Sequence, residues 1–379
     1  MKRVMIVAGE MSGDQHAARL VRGLRAVRGD VEWFGIGGDA LRREGVRTDV
    51  DARDMAVVGF FEVLARYPFF RRTFNQTVAR LSAEKPDALL LVDYPGFNLR
   101  LAAVAHEMGI PVYYYVSPQV WAWHKSRIPK MAKILDLLMV IIPFEVDVFK
   151  GTGLKTTFVG HPLVESTKRT WAAPTPDLPW PAGNKRVGIL PGSRRQEIQR
   201  VLPPMLDAAR ELRRRDPATA FLIPAASEEI RGLIEAQLAA LPADDRAAVA
   251  VVTGQMRDVA RQARAAMVCS GTATVETALM KCPMIVVYRT TAPTYWFGRM
   301  IIRVNWLGMV NLIANRTLCP EFIQDAATPS AMADALEPLI ADTPARQAQV
   351  DGLAEVAQAL EGAGPLKSAG QLVAEALGA

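Results

Sequence analysis

Two short glycine-bearing turns in the second half of the chain have the composition of an anion cradle. Pro191-Gly192-Ser193-Arg194 follows an apolar run over residues 186–190 and enters a helix-compatible stretch. Such a turn delivers backbone N–H groups at a helix start, where the helix dipole favours negative charge. Arg194 adds a guanidinium able to hydrogen-bond a phosphate through two donors. Ser270-Gly271-Thr272-Ala273-Thr274-Val275-Glu276 repeats the arrangement after residues 266–269. Its small residues admit a diphosphate closely, and Glu276 is spaced to accept hydrogen bonds from ribose hydroxyls. Taken singly, either turn is equally an ordinary capped loop, and the less favoured reading of Glu276 is a first-turn acid complementing the dipole. Two such turns in one sheet favour a nucleotide diphosphate. Neither is a Walker motif, and no Gly-x-Gly-x-x-Gly follows the first strand, which counts against kinase, ATPase and dehydrogenase chemistry.

The first half carries the groups that could move a proton. Gly9-Glu10-Met11-Ser12-Gly13-Asp14 ends the opening strand, placing Gly9, Glu10, Ser12 and Asp14 at a carboxyl edge, where open α/β sheets bind ligands. The other reading of Ser12 or Asp14 is a helix cap, and the two roles can coexist. Asp93, at the head of Asp93-Tyr94-Pro95-Gly96-Phe97-Asn98, is the preferred general base, with a turn-capping aspartate as the rival reading. His161, in Gly160-His161-Pro162, is a second candidate for proton transfer or sugar contact. The segment Val116-Ser117-Pro118-Gln119-Val120-Trp121-Ala122-Trp123 either lines an acceptor pocket, through Ser117, Gln119 and Trp121, or belongs to the core. His16, His106 and His124 show no ligand spacing with one another or with acids, so no metal is expected.

A third kind of segment mixes bulky apolar residues with arginine. Residues 59–72 place Phe60, Phe61, Leu64 and Phe70 among Arg66, Arg71 and Arg72, as in a helix lying in a bilayer interface, and residues 296–303 resemble it. Both are also compatible with amphipathic helices packed internally. The formal charge of +6, from 45 basic and 39 acidic residues, suits phosphate-bearing ligands or an anionic membrane surface and does not argue for nucleic acid. Three cysteines without paired spacing indicate neither a disulfide framework nor a zinc knuckle, and point to the cytoplasm. The opening apolar run is too short for a signal peptide, and prolines and glycines break the longest uncharged run, so membrane contact is expected to be peripheral.

Positioning these groups requires two sheets. Apolar runs at 4–8, 31–36, 88–92, 112–116, 137–142 and 157–159 read as parallel strands, with helices such as 15–26 and 99–107 between some of them. The pattern restarts at 186–190, 220–224, 248–253, 266–269 and 284–288. A chain of 379 residues exceeds what one core organises. The expected architecture is α/β: a doubly wound Rossmann-like domain over residues 1–166, a proline-rich linker over 167–184, a second such domain over 185–340 facing the first across a cleft, and C-terminal helices over 341–379. Thr328-Pro329 reads as a cap and first-turn proline.

The motifs around Gly9–Asp14, Val116–Trp123, Leu190–Arg194 and Ser270–Glu276, with Asn311-Leu312, together resemble the lipid-A-disaccharide synthase family, in order along nearly the whole chain. The serine-proline-tryptophan stretch is the most specific, because nothing general about Rossmann folds requires it. The resemblance implies a GT-B glycosyltransferase that moves a 2,3-diacylglucosamine unit from its UDP derivative onto 2,3-diacylglucosamine 1-phosphate. The product is a β-1,6-linked disaccharide formed with inversion, UDP is released, and no cofactor is required. Carried across, Asp93 matches the family's essential aspartate, Arg194 its essential arginine, and Glu276 and Asn311 its donor-side residues. The resemblance further implies peripheral attachment to the cytoplasmic face of the bacterial inner membrane and C-terminal helices able to exchange within a homodimer. The rival activities on such a fold are a UDP-N-acetylglucosamine 2-epimerase and a non-catalytic nucleotide-sugar-binding protein.

Overall fold

A computed structural model describes residues 1–55, 66–301, 304–362 and 366–378, apart from the side chain of Phe297. The chain divides into two compact units, Met1–Pro162 with Gly362–Ala379, and Leu163–Glu361.

The first unit is built on a parallel sheet of β1 (Lys2–Ala8), β2 (Val31–Gly37), β3 (Arg47–Asp51), β4 (Ala88–Val92), β5 (Val112–Tyr115), β6 (Leu137–Val140) and β7 (Lys155–Phe158). Their order is β3-β2-β1-β4-β5-β6-β7. The central strands are buried along their length because helices cover both faces, so β4 is the uninterrupted apolar run ALLLV rather than an alternating one. Polar β3 (RTDVD), an edge strand, escapes a reading based on apolar runs for the complementary reason. The helix Met11–Arg25 starts four residues before the expected 15, directly behind the end of β1, and Pro95–Glu107 starts at its first-turn proline rather than at 99.

The second unit carries β8 (Lys185–Leu190), β9 (Thr219–Ala225), β10 (Val249–Thr253), β11 (Ala265–Cys269), β12 (Met284–Tyr288) and β13 (Glu321–Ile323) in the order β10-β9-β8-β11-β12-β13. The three-residue β13 is too short to register as an apolar run. Both sheets are of the doubly wound Rossmann kind.

Residues 167–184, expected to link the domains, lie wholly within the second unit. They begin inside the helix Pro162–Ala172, and the proline-rich remainder is anchored by Leu178, buried against Leu222 and Val259. Trp180 Nε1 donates to Gln262 Oε1 at 3.0 Å, and Gln262 Nε2 donates to Pro176 O at 2.8 Å. The C-terminal helices separate. Pro329–Ile340 packs on the helix Arg195–Arg215, with Thr328 Oγ1 capping it by accepting from Ala331 N. Pro344–Glu361 also belongs to the second unit, whereas Ala369–Ala376 packs on Met11–Arg25 in the first. Gly370 permits that contact, since a Cβ there would sit 2.4 Å from Leu24 N.

Candidate functional site

In the second sheet the strand order reverses between β8 and β11, and the loops leaving these two strands carry the glycine turns. At such a reversal the connections diverge to opposite faces and leave a crevice at the carboxyl edge. A cavity of about 650 Å³ occupies it, within the range of small-ligand sites, lined by Gly192, Ser193, Arg194, Ser270, Gly271 and Thr272 among others. Gly192 has φ +109°, and a Cβ there would fall 2.2 Å from Glu197 Oε2. Gly271 has φ +147° with open space around it, so its requirement is the backbone angle alone. Thr274 is fully buried and its hydroxyl donates to Gly271 O at 2.8 Å, which stiffens the turn from behind. Ser270 Oγ donates to Leu307 O at 2.9 Å.

Two acids on this edge are already engaged. Glu197 accepts from Ser193 N at 2.8 Å, Arg194 N at 3.1 Å and Arg194 Nη1 at 3.1 Å. The first glycine turn is thereby held in shape by a carboxylate three residues into the helix, the geometry of a capping box. Glu276 also lines the cavity, paired with Arg257 at 2.8 and 2.9 Å. Asn311 is fully buried away from the cavity lining. Its Nδ2 donates to Cys319 O and Glu321 Oε1, and its Oδ1 accepts from Leu318 N and Cys319 N. Glu321 in turn caps Leu307 N and Gly308 N, each at 2.9 Å, so Asn311 acts in the scaffold behind the Ser270 turn.

In the first sheet the reversal falls between β1 and β4, and the loops there carry Gly9–Asp14 and Asp93–Asn98. Asp93 and Tyr94 both lie in the left-handed region, at φ +49° and +51°, and Val116, at the end of the adjacent β5, lies at +65°. For a β-branched residue that is a genuine outlier, and strained backbone of this kind collects at functional sites. It also ends β5 at Tyr115, one residue earlier than expected. Burial pushes the Asp93 carboxyl above its ordinary value, opposed by a hydrogen bond from the Tyr94 N–H. Such a shift is in the direction a general base needs. Gly9 answers a packing demand, since a Cβ there would lie 2.5 Å from the Tyr94 ring. Glu10 and Ser12 are exposed at the start of the helix Met11–Arg25. Asp14 is a correction. Only 1% exposed, its carboxylate accepts from Gly38 N at 2.7 Å, Ala40 N at 2.9 Å and Leu41 N at 3.2 Å, which makes it the cap of the next βα turn.

His161 and His16 are electrostatic neighbours in the first unit. Burial holds both imidazoles down to about 4, assisted by Arg19 for His16 and by His16 for His161. Both are therefore held in the neutral form. Ser117 and Trp121 are buried, while Gln119 is exposed. Trp121 Nε1 donates to Glu145 Oε1 at 3.1 Å, and burial raises the Glu145 carboxyl to about 8. The core reading of that segment therefore applies to Trp121. Phe60, Phe61 and Leu64 lie outside the described residues. Phe70 is half-buried against the core of the first unit, with the exposed Tyr67 nearby. In the helix Ala292–Ile301, Trp296 is 64% and Met300 80% exposed. Among the described residues no cluster of His, Cys, Asp and Glu could hold a metal ion, and no helix is long and apolar enough to cross a membrane.

Sequence reasoning did not single out Glu197, Arg257, His16 or Glu145. Glu197 stands three residues after Arg194, a spacing that signals a capping box. Arg257 and Glu145 gain their roles from residues 19 and 24 positions away, which no local pattern encodes, and His16 gains its character from the burial of its ring.

Solved structures of like fold include the UDP-N-acetylglucosamine 2-epimerase from Neisseria meningitidis bound to UDP-GlcNAc, with a TM-score of 0.62, 13% identity and coverage of 100% of this chain and 99% of that one. MurG from Acinetobacter baumannii matches with a TM-score of 0.55, 13% identity and the same coverage. Identities this low speak for fold alone. Sequence relatives say more. The lipid-A-disaccharide synthases of Anaeromyxobacter sp. (strain K) and Geobacter sulfurreducens are 40% and 39% identical, over 98% and 99% of this chain and 97% of each relative. The family model described as lipid-A-disaccharide synthetase matches residues 4–375, a span that includes both strand-order reversals with their loops, and the chain belongs to that family of glycosyltransferases.

Proposed function

We propose that this protein transfers the diacylglucosamine unit of UDP-2,3-diacylglucosamine to the 6-hydroxyl of 2,3-diacylglucosamine 1-phosphate with inversion, releasing UDP. The observation that carries the reading is the cavity between the β8 and β11 loops, in which two glycine turns at helix starts and Arg194 offer donors to a diphosphate. Inversion needs a single displacement, so a base for the acceptor hydroxyl and charge stabilisation for the leaving group suffice. Asp93 takes the proton, and its desolvated carboxyl is suited to that task. Arg194 and the N–H groups at the two helix starts take up the charge that develops on UDP as the glycosidic bond breaks. Glu276 receives the ribose hydroxyls, with Arg257 orienting its carboxylate.

Acyl chains keep both substrates partly in the bilayer, at about 0.8 kcal/mol for each buried methylene, so the enzyme works peripherally at an anionic membrane surface. The exposed Trp296 and Met300 and the net charge of +6 support this. Replacing Phe60, Phe61, Leu64 and Phe70 by serine should release the protein from anionic vesicles, and unchanged co-sedimentation would remove that segment from the contact.

The decisive assay incubates the protein with both glycolipids. Stoichiometric UDP and a phosphorylated disaccharide are expected. An epimerised UDP-sugar formed without acceptor, or binding without UDP release, would overturn the reading in favour of the epimerase or the binding protein respectively.

A further inference from the structure

The backbone around Asp93 is held in a costly shape by groups that do not themselves meet a substrate. Two consecutive non-glycine residues in the left-handed region, Asp93 at φ +49° and Tyr94 at +51°, are each disfavoured by ~1–3 kcal/mol. Glycine or asparagine would relieve the strain, yet the chain places an aspartate and a tyrosine there.

The restraints come from both sides of the residue. On the N-terminal side, Asp93 N donates to Tyr115 O at 3.0 Å, tying it to β5. On the C-terminal side the Asp93 carbonyl accepts twice, from Asn98 Nδ2 at 2.7 Å and from the Tyr114 hydroxyl. Asn98 Nδ2 also reaches Val92 O at 3.2 Å, the last carbonyl of β4. Tyr94 is held separately, its hydroxyl donating to Met55 O at 2.9 Å and its ring filling the space that Gly9 leaves.

Asn98 and Tyr114 are both fully buried. Among the described residues Asn98 Oδ1 has no hydrogen-bond partner. An amide oxygen left unpaired in the interior costs ~1–3 kcal/mol, so an aliphatic side chain of similar size would serve packing better. What an aliphatic residue cannot supply is the pair of N–H donors.

We propose that Asn98 and Tyr114 are positioning residues: together they clamp the Asp93 carbonyl, impose the left-handed turn, and so aim the carboxylate for proton abstraction. The Asp93 side chain extends from a residue whose two flanking peptides are pinned. A misplacement of about 1 Å in a reacting group is worth ~100-fold in rate, so loosening the clamp should act on turnover. The inference rests on Asp93 being the general base.

The test compares Asn98→Leu, Tyr114→Phe and Asp93→Asn in the full-length protein with both glycolipid substrates. Asn98→Leu removes the donors together with the unpaired oxygen, and Tyr114→Phe removes one hydroxyl while keeping the ring. Each is expected to lower kcat, by ~100-fold for Asn98→Leu and ~10-fold for Tyr114→Phe, to leave the KM for the donor unchanged, and to shift the acid limb of the kcat–pH profile. A purely structural role would lower the amount of folded enzyme without moving that limb. Should Asn98→Leu fail to fold, Tyr114→Phe decides alone. If Asp93→Asn is inactive while the other two match the wild type in kcat and pH profile, the clamp is refuted and the base stands. If Asp93→Asn keeps full activity, the base and the clamp both fall.

Discussion

Each unit presents a strand-order reversal at the carboxyl edge of a parallel sheet, and the two edges use opposite electrostatics. The β8/β11 edge presents backbone N–H groups and arginine, arranged around glycines at φ +109° and +147°. At the β1/β4 edge burial dominates. It raises Asp93, lowers His16 and His161, and so holds all three toward their neutral forms. One edge offers donors to negative charge, the other holds ionisable side chains in a desolvated setting. Parallel topology provides the location in both cases, and the loop residues decide what happens there.

The sharpest way to break this contrast is Asp93→Asn. Turnover should fall by ~10²–10⁴-fold, while UDP affinity, measured by calorimetry, stays at the wild-type value. A loss of UDP binding would mean that the division of labour is wrong. Arg194→Ala should do the reverse, weakening UDP binding by ~10–100-fold, the equivalent of one charged hydrogen bond, and lowering the rate with it. Wild-type affinity in that variant would leave the turn without its side-chain donor.

Smaller effects sharpen the picture within the second unit. Gly192→Ala meets both a left-handed backbone and the Glu197 carboxylate, whereas Gly271→Ala meets only the backbone angle. Thermal melting should therefore show a larger loss for Gly192→Ala, ~2–3 kcal/mol against ~1 kcal/mol. Equal losses would argue that Glu197 moves aside freely.

The smallest effect is a pH dependence confined to the first unit. His16 titrates near 6.5 when unfolded and about 4 when folded, so the unfolded chain binds more protons between those values, and stability is lost as pH falls from 6.5 toward 4. Glu145 is raised from 4.5 to about 8, so its contribution is complete below 4.5 and is lost as pH rises through 8. His16→Gln should raise the melting temperature at pH 5 relative to wild type, and Glu145→Gln should do so at pH 8, each by ~5 °C. Parallel wild-type and variant curves would place these groups in contact with solvent.

Much of the site was legible because its signals are local. A glycine after an apolar run and before a helix is visible within ten residues, as at Gly192 and Gly271, and Asp93 lies directly after the buried run of β4. The roles that were misread or missed are those fixed by distant partners. Asp14 looks like a cleft acid until Gly38, Ala40 and Leu41 turn their N–H groups onto it. Trp121 reads equally as pocket wall or as core until its ring nitrogen finds Glu145.

The sequence by itself determined two parallel sheets, the loops that end their strands, and the chemical character of each loop, because apolar periodicity and turn chemistry act over short stretches of chain. Only the tertiary structure decided which of those polar groups remain available. Hydrogen-bond satisfaction and desolvation depend on what packs around a side chain, and that is set by residues brought together from afar.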